Sequence, residues 1–319
     1  MSRSIVVLAV VACAATTAVT APASGGAHAQ VRRVELSVPA SPTAVAAGGR
    51  SLWLLAGGRL VRVDAVLDKV IAQIDVGVRL GSELTCDLAV AGNVVWAVGA
   101  VDARRSRVFR IDTRTGRVLG STAVAAAACV AATAQGAWVT LPGSRLILRL
   151  GRGGHVLGRL PTAAYCDRIV AGHGGVWVAC PAETAGARVG KHTGTILRIG
   201  GSGALRVVAH GVLSGTLAAG PAGVFASGVA HNSGMTVRVD ARGPSFPSSG
   251  NLAIGRSSLW VADWRGPGRA GFAREVGAHT GRTIRLTRAG ISPLGITIAA
   301  GSVWLTNYTQ PGSLTRITP

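Results

Sequence analysis

An aromatic residue returns at near-even intervals along most of the chain, at Trp53, Trp96, Trp138, Trp177, Phe225, Trp260 and Trp304, with gaps of 35 to 48 residues. A run of small residues ending in a glycine-containing turn precedes each one. Ala46-Ala47-Gly48 stands before Trp53, Ala171-Gly172 before Trp177 and Ala300-Gly301 before Trp304. A loop of variable length follows, and then a second anchor, a basic residue and a branched apolar one. It reads Arg62-Val63-Asp64, Arg110-Ile111-Asp112, Arg149-Leu150, Arg198-Ile199, Arg238-Val239-Asp240 and Arg316-Ile317. The sixth copy departs, with Glu275-Val276.

A period near forty with alternating apolar segments and glycine turns specifies an all-β chain, a seven-bladed β-propeller with one four-stranded sheet per repeat. Within each blade the small-residue run is the innermost strand, the aromatic lies on the second, the basic anchor on the third, and a fourth strand forms the rim. The aromatics are expected between adjacent blades. The seventh repeat stops at Pro319 after its third strand, while Val31 to Val38, ahead of the first repeat, has the pattern of a spare fourth strand. Joining the two closes the ring and removes two open sheet edges. Asp64, Asp112 and Asp240 fall where each would cap the turn between third and fourth strands.

Residues 1–29 have the form of an export signal. Arg3 is basic, Ile5 to Ala21 is uncharged and mostly small and apolar, and Ala27-His28-Ala29 fits a cleavage site before Gln30. A retained anchor and lipidation at Cys13 are the alternatives. Residues 30–319 then form one propeller, expected to be a secreted or extracytoplasmic monomer without a membrane span. The formal net charge is +20, but Lys69 and Lys191 are the only lysines and the arginines are spread over all repeats. We read this as a basic surface of GC-rich coding, with adsorption to anionic polymers at low salt and no specific nucleic-acid site.

The grammar Gly-x-x-Val-Trp-Val, variable loop, Arg-Ile-Asp-x-x-Thr-Gly, best seen at Arg110 to Gly116, resembles the YncE-like, YVTN-type seven-bladed propellers. The resemblance covers residues 30–319 as repeat grammar and implies an exported, often non-enzymatic propeller. More distantly the chain is similar to virginiamycin B lyase and to quinoprotein dehydrogenases. The Glu-x-His of the lyase has no match at Glu35, Glu83, Glu183 or Glu275. The Asp-x-x-Thr-Gly of the quinoproteins occurs at Asp112 to Gly116, with Gly120 in place of their tryptophan.

Besides Cys13, the cysteines are Cys86, Cys129, Cys166 and Cys180, an even number that points to disulfides in an exported chain. A hairpin turning about His173 sets Ile169 opposite Trp177 and Cys166 opposite Cys180. Cys86 and Cys129 start the innermost strands of neighbouring blades and form a second pair. A metal site is the rival reading, without a Cys-x-x-Cys spacing to support it.

Neither a nucleophile elbow nor a metalloprotease helix occurs. A binding site is expected on the face carrying the loops between second and third strands, called the top face below. Its candidates are Asp87, Arg105, Asp167, His231, Asn232, Asp263, Trp264, Arg265 and Tyr308, with Asn307 and Gln310 alongside. Asp87 and Asp167 are the candidate ligands for a divalent cation at the channel mouth. Trp264 is the one tryptophan outside the repeat position. The sequence thus reads as a non-catalytic binding or scaffold propeller, its partner a protein or an anionic cell-envelope polymer. The alternative is a metal-assisted lyase or hydrolase at the channel mouth.

Overall fold

The computed structural model describes residues 30–38, 40–80, 86–181, 194–201, 203–211, 215–230, 233–248 and 250–318. Seven antiparallel sheets stand in a ring, each of four strands running from the channel to the rim. The innermost strands are Pro42–Gly48, Leu88–Ala91, Val130–Thr133, Arg168–Gly172, Thr216–Gly220, Asn251–Ile254 and Pro293–Ala299, for blades one to seven. Blade two carries one addition, the short strand Arg79–Leu80, paired to the end of its second strand. Among the described residues the only helical element is the 3₁₀ turn Pro142–Ser144, and no helix is long and apolar enough to cross a membrane.

Burial follows strand position. In blade one every residue of the second strand, Ser51–Ala56, is buried, because blades cover both of its faces. The rim strand Lys69–Ile74 alternates exposed and half-buried residues, as a strand covered on one face does. The core is accordingly divided into seven layers, one per seam, and each repeat aromatic packs onto the next blade. Trp53 sits with Val95 and Ile111 of blade two, Trp138 with Ile169 and Val178 of blade four, and Trp304 with Leu52 and Leu54 of blade one.

Ring closure is as expected. Gln30–Glu35 pairs antiparallel with Ser313–Thr318, and Val31 faces Ile317. The ladder is shorter than the expected 31–38. Past Glu35 the chain turns into the seam with blade one, where Leu36 and Val38 are buried beside Trp304.

Strand register joins the two anchors of the repeat into one unit. Trp53 lies opposite Arg62, Trp96 opposite Arg110, Trp138 opposite Arg149, Trp177 opposite Arg198, Phe225 opposite Arg238 and Trp304 opposite Arg316. Five of these guanidinium carbons stand 5.3 to 5.9 Å from the ring centroid, a cation–π stack. Three of the six arginines reach on to a carbonyl or carboxylate in the third-to-fourth-strand turn of the next blade. Arg62 donates to the Arg114 carbonyl at 2.8 Å, Arg110 to the Arg152 carbonyl at 3.0 Å and Arg316 to the Asp68 carboxylate at 3.1 Å. Blade six has Glu275 opposite Trp260. Its neighbour, blade seven, takes its rim strand from Gln30–Glu35 and so has no such turn to clamp; Glu275 pairs instead with Arg285, 3.6 Å away on its own rim strand.

Two expectations need correction. Disulfides join Cys86 to Cys129 and Cys166 to Cys180, but the blade-four register is one residue away from the expected one, with Ile169 opposite Val178 and Val170 opposite Trp177. The turn is a two-residue His173-Gly174 hairpin with positive φ at both positions (47° and 70°), the twist that suits tight hairpins, and not a turn centred on His173. Cys166 still reaches Cys180 because it precedes the ladder, which starts at Arg168. Asp64 and Asp112 cap their turns through backbone N–H groups of Val66, Leu67, Arg114 and Thr115. Asp240 does not. It turns inward to the Val224 N–H and to Arg238, and His173 of blade four approaches it at 3.1 Å.

Candidate functional site

The channel is lined by the innermost strands of all seven blades and holds about 220 Å³. Its walls are mostly Val, Leu, Ile and Ala, with Cys86, Thr216, Asn251 and Gly295 among them and, among the described residues, Arg168 the only charged one. Arg168 donates to the Gly215 carbonyl at 2.8 Å and lies against the Cys86 and Cys129 sulfurs. The two candidate cation ligands lie elsewhere. Asp87 is fully buried, and neither it nor Asp167 lines the channel. Burial pushes the Asp167 carboxyl above the ordinary aspartate value, opposed in part by Arg168, and its Oδ1 is buried without a hydrogen-bond partner. Among the described residues no three His, Cys, Asp or Glu side chains converge as a metal site would need.

Two further polar candidates have structural work to do. Asp263 accepts from Ser248 at 3.0 Å and from Arg274 Nε and Nη2 at 3.1 and 2.9 Å, which ties the second and third strands of blade six to the preceding linker. Arg105 pairs with Asp102, whose carboxylate also caps the tight turn through the Arg104 and Arg105 N–H groups; those bonds hold Asp102 below the usual aspartate value. Asn307, fully buried, bonds to Ser313 and Thr315 across the blade-seven hairpin. His231 and Asn232 lie outside the described residues.

What the top face does assemble is a groove of about 480 Å³ across blades six, seven and one. Trp264 and Pro267 form one wall, Leu294, Tyr308 and Gln310 the middle, and Arg79 and Leu80 the far end. Trp264 is 50% and Tyr308 51% exposed, whereas the seven repeat aromatics are at most 7% exposed. Arg265, expected to act with Trp264, leans the other way and stacks on Phe272 at 4.6 Å. The floor is low because blade one joins its second and third strands by Gly57-Gly58, both at positive φ (60° and 78°), a hairpin with no side chain to fill the space. The Gly58 carbonyl accepts from the Leu80 N–H at 3.1 Å and so positions Arg79 at the groove's end. Sequence reasoning missed Arg79 and Leu80. The Gly57-Gly58 pair was the signal, since a minimal loop between long ones marks a depression.

Comparisons support the fold and leave the family open. No family model matches the chain, and no curated protein matches it. Solved structures with the same architecture include BamB from Moraxella catarrhalis, with TM-score 0.56 and 14% identity, covering 87% of this chain and 85% of that one. Hydrazine synthase of Kuenenia stuttgartiensis gives 0.65 and 16%, covering 89% and 95%. The Pan2 WD40 domain of Neurospora crassa gives 0.64 and 11%, covering 90% and 94%. The chain is a β-propeller. At such identities the likeness is one of fold, and function has to be argued from the site.

Proposed function

We propose that the protein is an exported, non-catalytic binding propeller that holds a protein or an anionic cell-envelope polymer in the top-face groove. One observation carries the reading: Trp264 and Tyr308 are half exposed on a single groove, and neither takes part in inter-blade packing. Aromatic side chains with a nearby arginine are what binding hot spots favour, and Arg79 supplies the cation. Asp263, which an enzymatic reading would recruit, is spent on internal bonds. Two disulfides are compatible with an extracytoplasmic protein. The repeat grammar resembles that of the YncE-like propellers, which is in keeping with this reading.

A photo-crosslinking residue tests it when placed at 264, at 308, or at the rim position 157, where Leu157 is 50% exposed. The two groove positions should capture one common partner in intact cells and the rim position should not. Trp264→Ala should abolish capture from position 308 at an unchanged melting temperature. Equal capture at all three positions, or a Trp264→Ala protein as destabilised as Trp260→Ala, overturns the reading.

A further inference from the structure

The seam between blades three and four lacks a part that other seams have. Arg149 stacks on Trp138 at 5.5 Å, the same distance at which Arg316 stacks on Trp304. Arg316 goes on to the Asp68 carboxylate at 3.1 Å. For Arg149, among the described residues, the Trp138 ring is the contact, and no carbonyl or carboxylate accepts from its guanidinium. Among the described residues, the part of the blade-four turn that lines the space before it is Gly200-Gly201, which brings no side chain. A gap of about 390 Å³ results, with Arg149 and Trp138 on one side, Thr133 and Gln135 beside them, and glycine backbone of blade four across from them. Trp138, at 7%, is the most exposed of the seven repeat aromatics. The comparable gap between blades two and three differs: it is fronted by Arg152, whose Nε is already bonded to the Ala134 carbonyl.

We infer that this gap, on the face opposite the groove, is a binding site for a carboxylate, with Arg149 as the ligand-holding residue and Trp138 as the surface that orients it. The molecule itself shows which chemistry the position accepts, because at the seven–one seam the same stacked arginine holds an aspartate. A planar guanidinium fixed on an indole has lost little further freedom to lose, and its fork matches a carboxylate in two-point contact. The carboxylate belongs either to a small acid or to an acidic side chain of a partner.

Both sources are tested on the full chain by titrating succinate, an acetyl-Gly-Asp-Gly-amide peptide and its Asn counterpart, while following ¹⁵N-labelled arginine Nε–H signals. The Arg149 signal should shift with the carboxylate probes and not with the Asn peptide. A response to succinate alone assigns a small acid, and a tighter response to the peptide assigns a partner's side chain. In the variants that lack this signal, binding is read by titration calorimetry: Arg149→Gln should weaken it by about tenfold, and Arg149→Lys by less, because the charge stays and the fork is lost. Gly201→Asp supplies the missing carboxylate from within; a Cβ there meets nothing within 4 Å. That variant should melt higher than the parent and lose the response to both probes. If the Arg149 signal stays still, or binding is unchanged in Arg149→Gln and Gly201→Asp alike, the charge of the whole surface and not this gap holds the anion, and the inference falls. None of these outcomes bears on the top-face groove.

Discussion

The seven–one and three–four seams are built from the same repeat and finished differently. At the first, Arg316 lies between the Trp304 ring and Asp68, and Asp68, 3% exposed, also takes Arg32 of the closing strand at 2.7 Å. At the second, Arg149 covers Trp138 and faces a glycine turn across open space. The aromatic supplies adhesion at both, whereas of these two seams only the one that closes the ring has the carboxylate. Adhesion and locking are therefore separate devices in this fold, and the sequence varies the second without disturbing the first.

Removal of the lock altogether should have the largest effect. Without residues 30–38 blade seven loses its rim strand and the seam loses Val34, Leu36 and Val38, so cooperative unfolding by calorimetry should disappear. A truncated protein melting like the parent would break the comparison at its root. Next come the aromatics: Trp304→Ala should cost about 5 kcal/mol and Trp138→Ala about 3 kcal/mol in denaturant titrations, because the latter already borders a gap. Third, Asp68→Ala leaves two arginines without their shared partner and should cost about 3 kcal/mol, against under about 1 kcal/mol for Arg149→Gln, which gives up an exposed stack alone. Equal costs would show that locking resides in the arginine and not in the carboxylate. The smallest effect is on acid sensitivity. Burial by itself would raise the Asp240 carboxyl, but the Arg238 side chain and the Val224 N–H outweigh it and hold the group below its ordinary 3.8. A carboxyl depressed in the folded state contributes stability above its unfolded value and loses it as pH falls through the folded one. Asp240→Asn should therefore flatten the drop in melting temperature from about pH 5 to about pH 3, while Arg149→Gln leaves it unchanged.

Much of this was legible because the repeat is local. The seven aromatics, the spare strand before blade one and the pairing of Cys86 with Cys129 each followed from spacing. The arginine anchor was visible too, but not its use, since only strand register shows that Trp53 and Arg62 face each other and that Arg62 then crosses to Arg114. The groove's aromatics stood out in the sequence because they break the pattern. Trp264 and Tyr308 are aromatics off the repeat position, and both line the groove. The surroundings of the polar candidates were not legible for a common reason: an aspartate on a top-face loop looks the same in sequence whether or not an arginine faces it, and Arg274 faces Asp263 from the neighbouring strand. The same holds for Arg265, because Phe272 offered a nearer ring.

The closing strand also sets the order in which this molecule can be finished. Gln30–Glu35 finds its place only against Ser313–Thr318, from the far end of the sequence. Every other blade completes itself from consecutive segments, so six sheets can form while the seventh waits. Bringing those two strands together closes nearly the whole chain into one loop, a step with a high entropic cost that contact within a blade does not share. Slow, late closure is therefore expected in refolding, with an intermediate that has most of its strands paired and one seam still open.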